Sequence, residues 1–334
     1  EAVIYLTAGG GAPEVVQQGI LDETGPVVLM AVLGQESNTD QVTINERTTV
    51  AAAYALAQFF VPGGINGPLP GLQNAADINT RLVVLETGDT TFFLNTFPNG
   101  SSTTTLGAFN SLANMLAACV RDESDCSTLF QLSTPPGGAA PTNTLEAMVN
   151  IAHFPWQNVE ELFLFSLDEQ VYGPSLDSTD EITAWIIAIR YIGNGMELNG
   201  PGNTAFDAQG NAWITNNFMF QDNPFDVVCA DDHVIRLTPT GQDVPGAPYQ
   251  GGGLYGAGYG ITLDPDSNVW IGNFAFQGVG CMLDPDIRAQ SVSKFSPDGT
   301  PLSPNTVGND IGGFKGAGNT INYPQGTVSD ADGN

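Results

Sequence analysis

A chain of 334 residues with 42% hydrophobic content is long enough for two domains and apolar enough for a sizeable core. Its 36 Asp and Glu against 8 Lys and Arg give a formal charge of −28. That field repels phosphate backbones and anionic membrane surfaces, so no nucleic-acid partner is expected, while divalent cations are easily accommodated. There is no run of about 20 apolar residues to cross a bilayer. Abundant Gly and Pro, four cysteines and the sequon Asn99-Gly100-Ser101 point to an extracellular or cell-surface protein whose signal peptide has been removed.

In chain order, AVIYLTAGGG and GPVVLMAVLG are apolar runs closed by glycine and predict strands, and QVTIN alternates like a third. TTVAAAYALAQFF (48–60) predicts a helix capped by Thr48 or Thr49. Leu106, Phe109, Leu112, Leu116 and Cys119 recur at three and four residues, one face of a further helix. TLEAMVNIAHF (144–154) and WQNVEELFLF (156–165) predict two shorter helices separated by Pro155, and the Pro/Gly-rich stretches at 62–70 and 134–141 predict loops. Residues 1–184 therefore read as a mainly helical domain with short β-strands. From WIIAIRYIG (185–193), itself a strand candidate, onward the pattern is short β runs punctuated by Gly, Pro, Asn and Asp, an all-β domain over 185–334.

That second region repeats itself. FDAQGNAWITN (206–216) is followed by HVIRLTPTG (233–241), and LDPDSNVWIGN (263–273) by SVSKFSPDG (291–299). Arg236 lies 29 positions after Asp207 and Lys294 lies 30 after Asp264, and a third copy begins at Pro324 and runs through Asp330 and Asp332 to Asn334. Each unit reads as a meander: an apolar strand, a tight Asp-x-x-Gly/Ser-Asn turn, a strand carrying Trp213 or Trp270, and a third strand closed by a Pro-x-Gly turn. Asn203, Gly260 and Gly326 each stand four residues before the leading Asp and suit positive φ.

Gly-Ile-x-x-Asp-x-x-x-Asn-Val-Trp-Ile (260–271) followed by Val-x-Lys-Phe-x-x-x-Gly (292–299) resembles an NHL-type β-propeller blade, as used in streptogramin-lyase-like propellers. INERTTVAAAYALAQF (44–59) resembles a segment of secreted bacterial proteins that carry NHL repeats. The likeness implies an α+β multidomain protein: a helical N-terminal domain, then an incomplete NHL-like β-propeller. These units exceed the usual 40–45 residues or so of such blades, with the excess at 217–231 and 274–290. A propeller closes with about four to eight blades, so further blades are expected beyond Asn334 or from other chains.

Candidate chemistry is sparse. Asp264-x-Asp266-x-Asn268 and Asp330-x-Asp332 resemble the opening of a calcium loop; the alternative is a hairpin turn in which Asp and Asn bond their own backbone. Locality favours disulfides Cys119–Cys126 and Cys229–Cys281 among the three possible pairings. His233 follows Asp231 and Asp232; a lyase of the streptogramin type would need such a histidine beside metal-binding acids, and the alternative is a solvated loop histidine. Tyr255, Tyr259, Phe274 and Phe276 are candidates for a carbohydrate- or protein-binding face, or for filling gaps between blades. No Gly-x-Ser-x-Gly, P-loop or dinucleotide fingerprint occurs. The expected function is a non-catalytic binding or scaffold protein that associates with other chains, including itself. The alternatives are a lyase or hydrolase with a central-channel site and a carbohydrate-binding module.

Overall fold

Where each buried backbone group finds its partner decides the architecture of this chain. The computed structural model describes residues 3–10, 25–34, 40–61, 64–193, 198, 200–219, 223, 225, 228–275, 290–308 and 310–330. It forms two units, Glu1–Arg190 and Tyr191–Asn334.

In the first unit, β1 (Ile4–Gly9) pairs antiparallel with β2 (Val28–Gly34), which is buried at Val28, Met30, Ala31 and Val32. Helix α1 (Glu46–Ala55) begins at Asn45, not at the threonines. The Asn45 side chain accepts from the Thr48 N–H and the Thr48 hydroxyl accepts from the Asn45 N–H, a reciprocal capping box. Thr49, one turn in, instead accepts from Met30 N at 2.9 Å and so ties β2 to α1. A two-residue hairpin, β3 (Phe60–Val61) with β4 (Gly64–Ile65), leads to α2 (Gly71–Leu82) and α3 (Phe92–Asn95).

Helix α4 (Thr105–Arg121) is the centre of this unit. The expected face of Leu106, Phe109, Leu112, Leu116 and Cys119 is buried, and so is nearly everything else from Thr105 to Cys119. A helix buried on every face belongs in a core. Its buried polar residues have partners: Asn110 donates to Pro174 O at 2.8 Å, Asn114 exchanges two hydrogen bonds with the Tyr172 backbone, and Ser111 accepts from Leu176 N. Helices α5 (Glu123–Leu132), α6 (Thr144–His153) and α7 (Val159–Phe165) complete the unit.

Residues 185–193 do not form the expected strand, and 185–190 belong to the first unit. Trp185 is wholly buried there. The backbone of this stretch is satisfied mostly by side chains rather than by a neighbouring strand: Tyr54 donates to Trp185 O, Thr105 to Ala188 O, and Asn99 bonds both ways with Arg190, while Trp185 N donates to Pro155 O. QVTIN (41–45) is likewise irregular.

In the second unit β5 (Pro201–Phe206), β6 (Ala212–Asn216), β7 (Phe218–Met219), β8 (Cys229–Ala230), β9 (His233–Leu237) and β10 (Tyr249–Gln250) are followed by β11 (Ala257–Leu263), β12 (Val269–Asn273) and β13 (Ser291–Phe295). The first repeat makes the antiparallel sheet β10-β9-β6-β5 and the second makes β11-β12-β13; β7 and β8 pair separately. Equivalent residues pair alike: Trp213 stands opposite Arg236, and Trp270 opposite Lys294. Trp213, Val234, Tyr249, Leu254, Ala257, Ile261, Val269, Ile271 and Phe295, drawn from both repeats, form one buried cluster.

The β-propeller expectation is overturned. Among the described residues the sheets have two to four strands and none closes into a ring. Among the described residues the third copy supplies an extended segment through Asp330 and no strand of a further sheet. That segment lies against β11 and β12. Asn203, Gly260 and Gly326 do not have positive φ. Gly260 is required for a different reason: a Cβ there would meet Thr327 N at 2.4 Å.

Candidate functional site

The repeated residues build the same small structure twice. Asp207 N–H bonds to Asn211 O and Asp264 N–H to Asn268 O, closing each hairpin. The fourth residue of the turn is left-handed, Gly210 at φ 81° in one repeat and Ser267 at φ 63° in the other. Asp207 Oδ1 accepts from Gln209 N and Asn211 N; Asp264 Oδ1 accepts from Asp266 N and Asn268 N. The second oxygen accepts from the tryptophan indole, Trp213 Nε1 at 3.3 Å and Trp270 Nε1 at 2.9 Å. A cation from the third strand completes the set. Arg236 Nη2 is 2.5 Å from Asp207 Oδ2 and Lys294 Nζ is 3.1 Å from Asp264 Oδ2. Each cation also covers its own tryptophan ring, Arg236 at 4.7 Å and Lys294 at 4.4 Å.

Burial pushes both carboxyls up, but the donors outweigh it. Bonds from Trp270, Asn268 and Lys294 hold Asp264 far below the ordinary carboxylate value, and bonds from Asn211 and Arg236 hold Asp207 below it. In this turn Asn268 presents its amide N–H to Asp264, and Lys294 supplies the positive charge. The carboxylate faces N–H groups on every side the structure records. Asp330 is exposed, and Asp332 lies outside the described residues.

The other end of the middle strand is where the repeats diverge. Asn216 and Asn273 are equivalent and both fully buried. The Asn273 amide donates to Ser291 Oγ and Ser293 Oγ, and its oxygen accepts from Tyr255 N. The Asn216 amide donates to Asp231 Oδ2 at 2.5 Å, and its oxygen accepts from Gly200 N. The first repeat thus places a buried carboxylate where the second has hydroxyls. Asp231 and Asp232 connect β8 to β9, and His233 is the first residue of β9. His233 Nδ1 is 2.7 Å from Asp231 Oδ1 and 3.0 Å from Asp232 Oδ1. One ligand atom from each of the three lies within 4.8 Å of the others. Hydrogen bonds donated by His233 to Asp231 and Asp232, opposed by burial, raise the His233 pKa to about 10. Gln250 reaches both His233 Nε2 and Asp232 Oδ1 with its amide. Burial, with the charge of Asp232 beside it, raises the Tyr255 hydroxyl.

The sequence-predicted aromatics separate. Tyr255 and Phe274 flank one end of the second sheet, where Tyr255 N bonds to Asn273 Oδ1, Phe274 N bonds to Gly256 O and the Phe274 ring stands edge-on to Tyr323 at 6.0 Å. Tyr259 is exposed on β11, and Phe276 lies outside the described residues. Cys119 and Cys126 form a disulfide between the end of α4 and the first turn of α5. Cys229 is also disulfide-bonded, while Cys281 lies outside the described residues. The sequon residue Asn99 is fully buried, its amide committed to Arg190. His153 bonds to Ala57 O at 2.7 Å.

No protein-family model and no curated protein matches the chain. Among solved structures there is a partial likeness to selenomethionine-substituted virginiamycin B lyase from Staphylococcus aureus, at 14% identity and a TM-score of 0.15. The matched part is 34% of this chain and 44% of that one. A likeness of that size carries no argument about fold or activity, and the NHL-type resemblance gains nothing further from it.

Proposed function

We propose that this chain is a non-catalytic binding or scaffold protein that works outside the cell and associates with protein chains, its own copies first among them. One observation carries the reading. The first strands of the two repeats and the extended segment of the third copy each turn a large apolar side chain to solvent: Phe206 at 68%, Tyr259 at 61% and Val328 at 87% exposure. Apolar groups left exposed on successive equivalent elements, among polar neighbours, suit a surface that another chain covers. The disulfide-bonded cysteines fit an oxidising compartment. No helix is long and apolar enough to cross a membrane among the described residues.

Multi-angle light scattering across a concentration series tests the reading. The expected result is a mass above that of the 35.0 kDa chain, falling toward it in the combined variant Phe206→Ser, Tyr259→Ser, Val328→Ser. A strictly monomeric protein at every concentration contradicts self-association.

A further inference from the structure

Two carboxylates and an imidazole on consecutive residues, present in one repeat and replaced in the other, call for a reason that the fold does not supply. The second sheet ends its middle strand with Asn273 bonded to Ser291 and Ser293, all three fully buried and uncharged. Counting from the paired cations Arg236 and Lys294, Ser291 takes the place of His233. The repeat can therefore be completed without an ionisable group at this position.

We propose that Asp231, Asp232 and His233 bind a divalent transition-metal ion, zinc being the expected occupant. Adjacent ligands of an ion with bonds of about 2.1 Å stand about 3 Å apart. His233 Nδ1 stands 2.7 and 3.0 Å from the two carboxylate oxygens. The donor set, one imidazole nitrogen with two carboxylate oxygens, suits zinc and its neighbours better than calcium or magnesium, which prefer oxygen alone. The innermost ligand is held in place from behind. Asn216 takes Asp231 Oδ2 at 2.5 Å, and the Asp231 carbonyl accepts from Gly256 N at 2.6 Å. Such support fixes a ligand's direction and raises affinity. The side chain of Asp231 is 3% exposed, whereas those of Asp232 and His233 are 52% and 29% exposed, so the trio has a buried floor and an open side. The Gln250 amide reaches Asp232 Oδ1 and His233 Nε2 and so braces the two outer ligands from the side away from Nδ1. The metal replaces the proton that His233 Nδ1 shares with the carboxylates, and that proton leaves to solvent.

The proposal is independent of the association reading, because its readout is metal bound per chain. Isothermal titration of the chelator-treated full chain with zinc chloride tests it. One tight site is expected, at least about tenfold weaker in His233→Ser and in Asp232→Asn. His233→Ser copies the second repeat, and Asp232 is half-exposed, so both variants are expected to fold; circular dichroism and melting curves verify that. Asp266→Asn, in the second repeat's turn, is the control and leaves the affinity unchanged. Cobalt substitution adds a visible d–d spectrum, which His233→Ser abolishes. Absence of a tight zinc site, zinc binding unchanged in both ligand variants, or calcium binding in place of zinc would overturn the proposal.

Discussion

The two repeats of the second unit agree at one end of their middle strand and differ at the other. At the shared end an aspartate receives its own turn's N–H groups, the indole of a tryptophan and the cation that covers that tryptophan. At the unshared end one repeat has Ser291 and Ser293 around Asn273, and the other has Asp231, Asp232 and His233 beside Asn216. What both repeats keep can be accounted for by folding alone, since it satisfies a buried carboxylate and fixes the hairpin. What only one keeps is charged, partly open and unnecessary for the sheet, and so is the better place to seek function. Of the Asp264-x-Asp266-x-Asn268 stretch, the leading Asp and the closing Asn belong to this shared framework, while Asp266 stands where the first repeat has Gln209.

The strongest way to break the comparison is to remove a tryptophan. Trp213 is fully buried in the cluster drawn from both sheets and stacks on Tyr249 at 5.3 Å. Trp213→Ala is expected to cost about 3–5 kcal/mol in urea unfolding, and Trp270→Ala less, because that ring is only half-buried. Acid comes next. Both aspartates have folded pKa values below the ordinary 3.8, so their contribution is complete above that value and is lost as pH falls through the lower, folded ones. Unfolding free energy measured between pH 5 and pH 2 should therefore fall with decreasing pH, and the slope should flatten when Arg236 and Lys294 are both replaced by Met. The smallest effect separates the turns. Ser267 holds φ 63° where its counterpart is Gly210, so Ser267→Gly should stabilise by up to about 1 kcal/mol and Gly210→Ser should destabilise by a similar amount.

Legibility in the sequence followed the source of each element's stability. Helix α4 was visible because its stability comes from a periodic apolar face, Leu106 to Cys119. Helix α2 was missed: it starts at Pro70 without a side-chain cap, and its interior, NAADINT, is mostly polar. Helix α5 has no periodic apolar face to announce it; it starts from the Asp122 N-cap one residue past the end of α4 and buries only Cys126 and Leu129. The run 185–193 has strand composition, but its hydrogen bonds go to Tyr54, Thr105 and Asn99, far away in sequence. The repeat itself was plain, and with it the positions of both tryptophans. The architecture it suggested was not, because two similar sheets in one sequence do not fix whether a ring closes around them. The adjacency of Asp231, Asp232 and His233 was readable; that Asn216, Gln250 and Tyr255 converge on them depends on the fold. The usable signal was the mismatch between repeats, His233 against Ser291.

The central claim is that the repeated aspartate and its cation act as one unit. A double-mutant cycle with Asp264→Ala and Lys294→Met, measured by urea denaturation of the full chain, tests it most directly, and Asp207→Ala with Arg236→Met repeats the test in the other sheet. The account predicts a coupling energy above about 1.5 kcal/mol in each cycle. Losses that simply add, within about 0.5 kcal/mol, would contradict it.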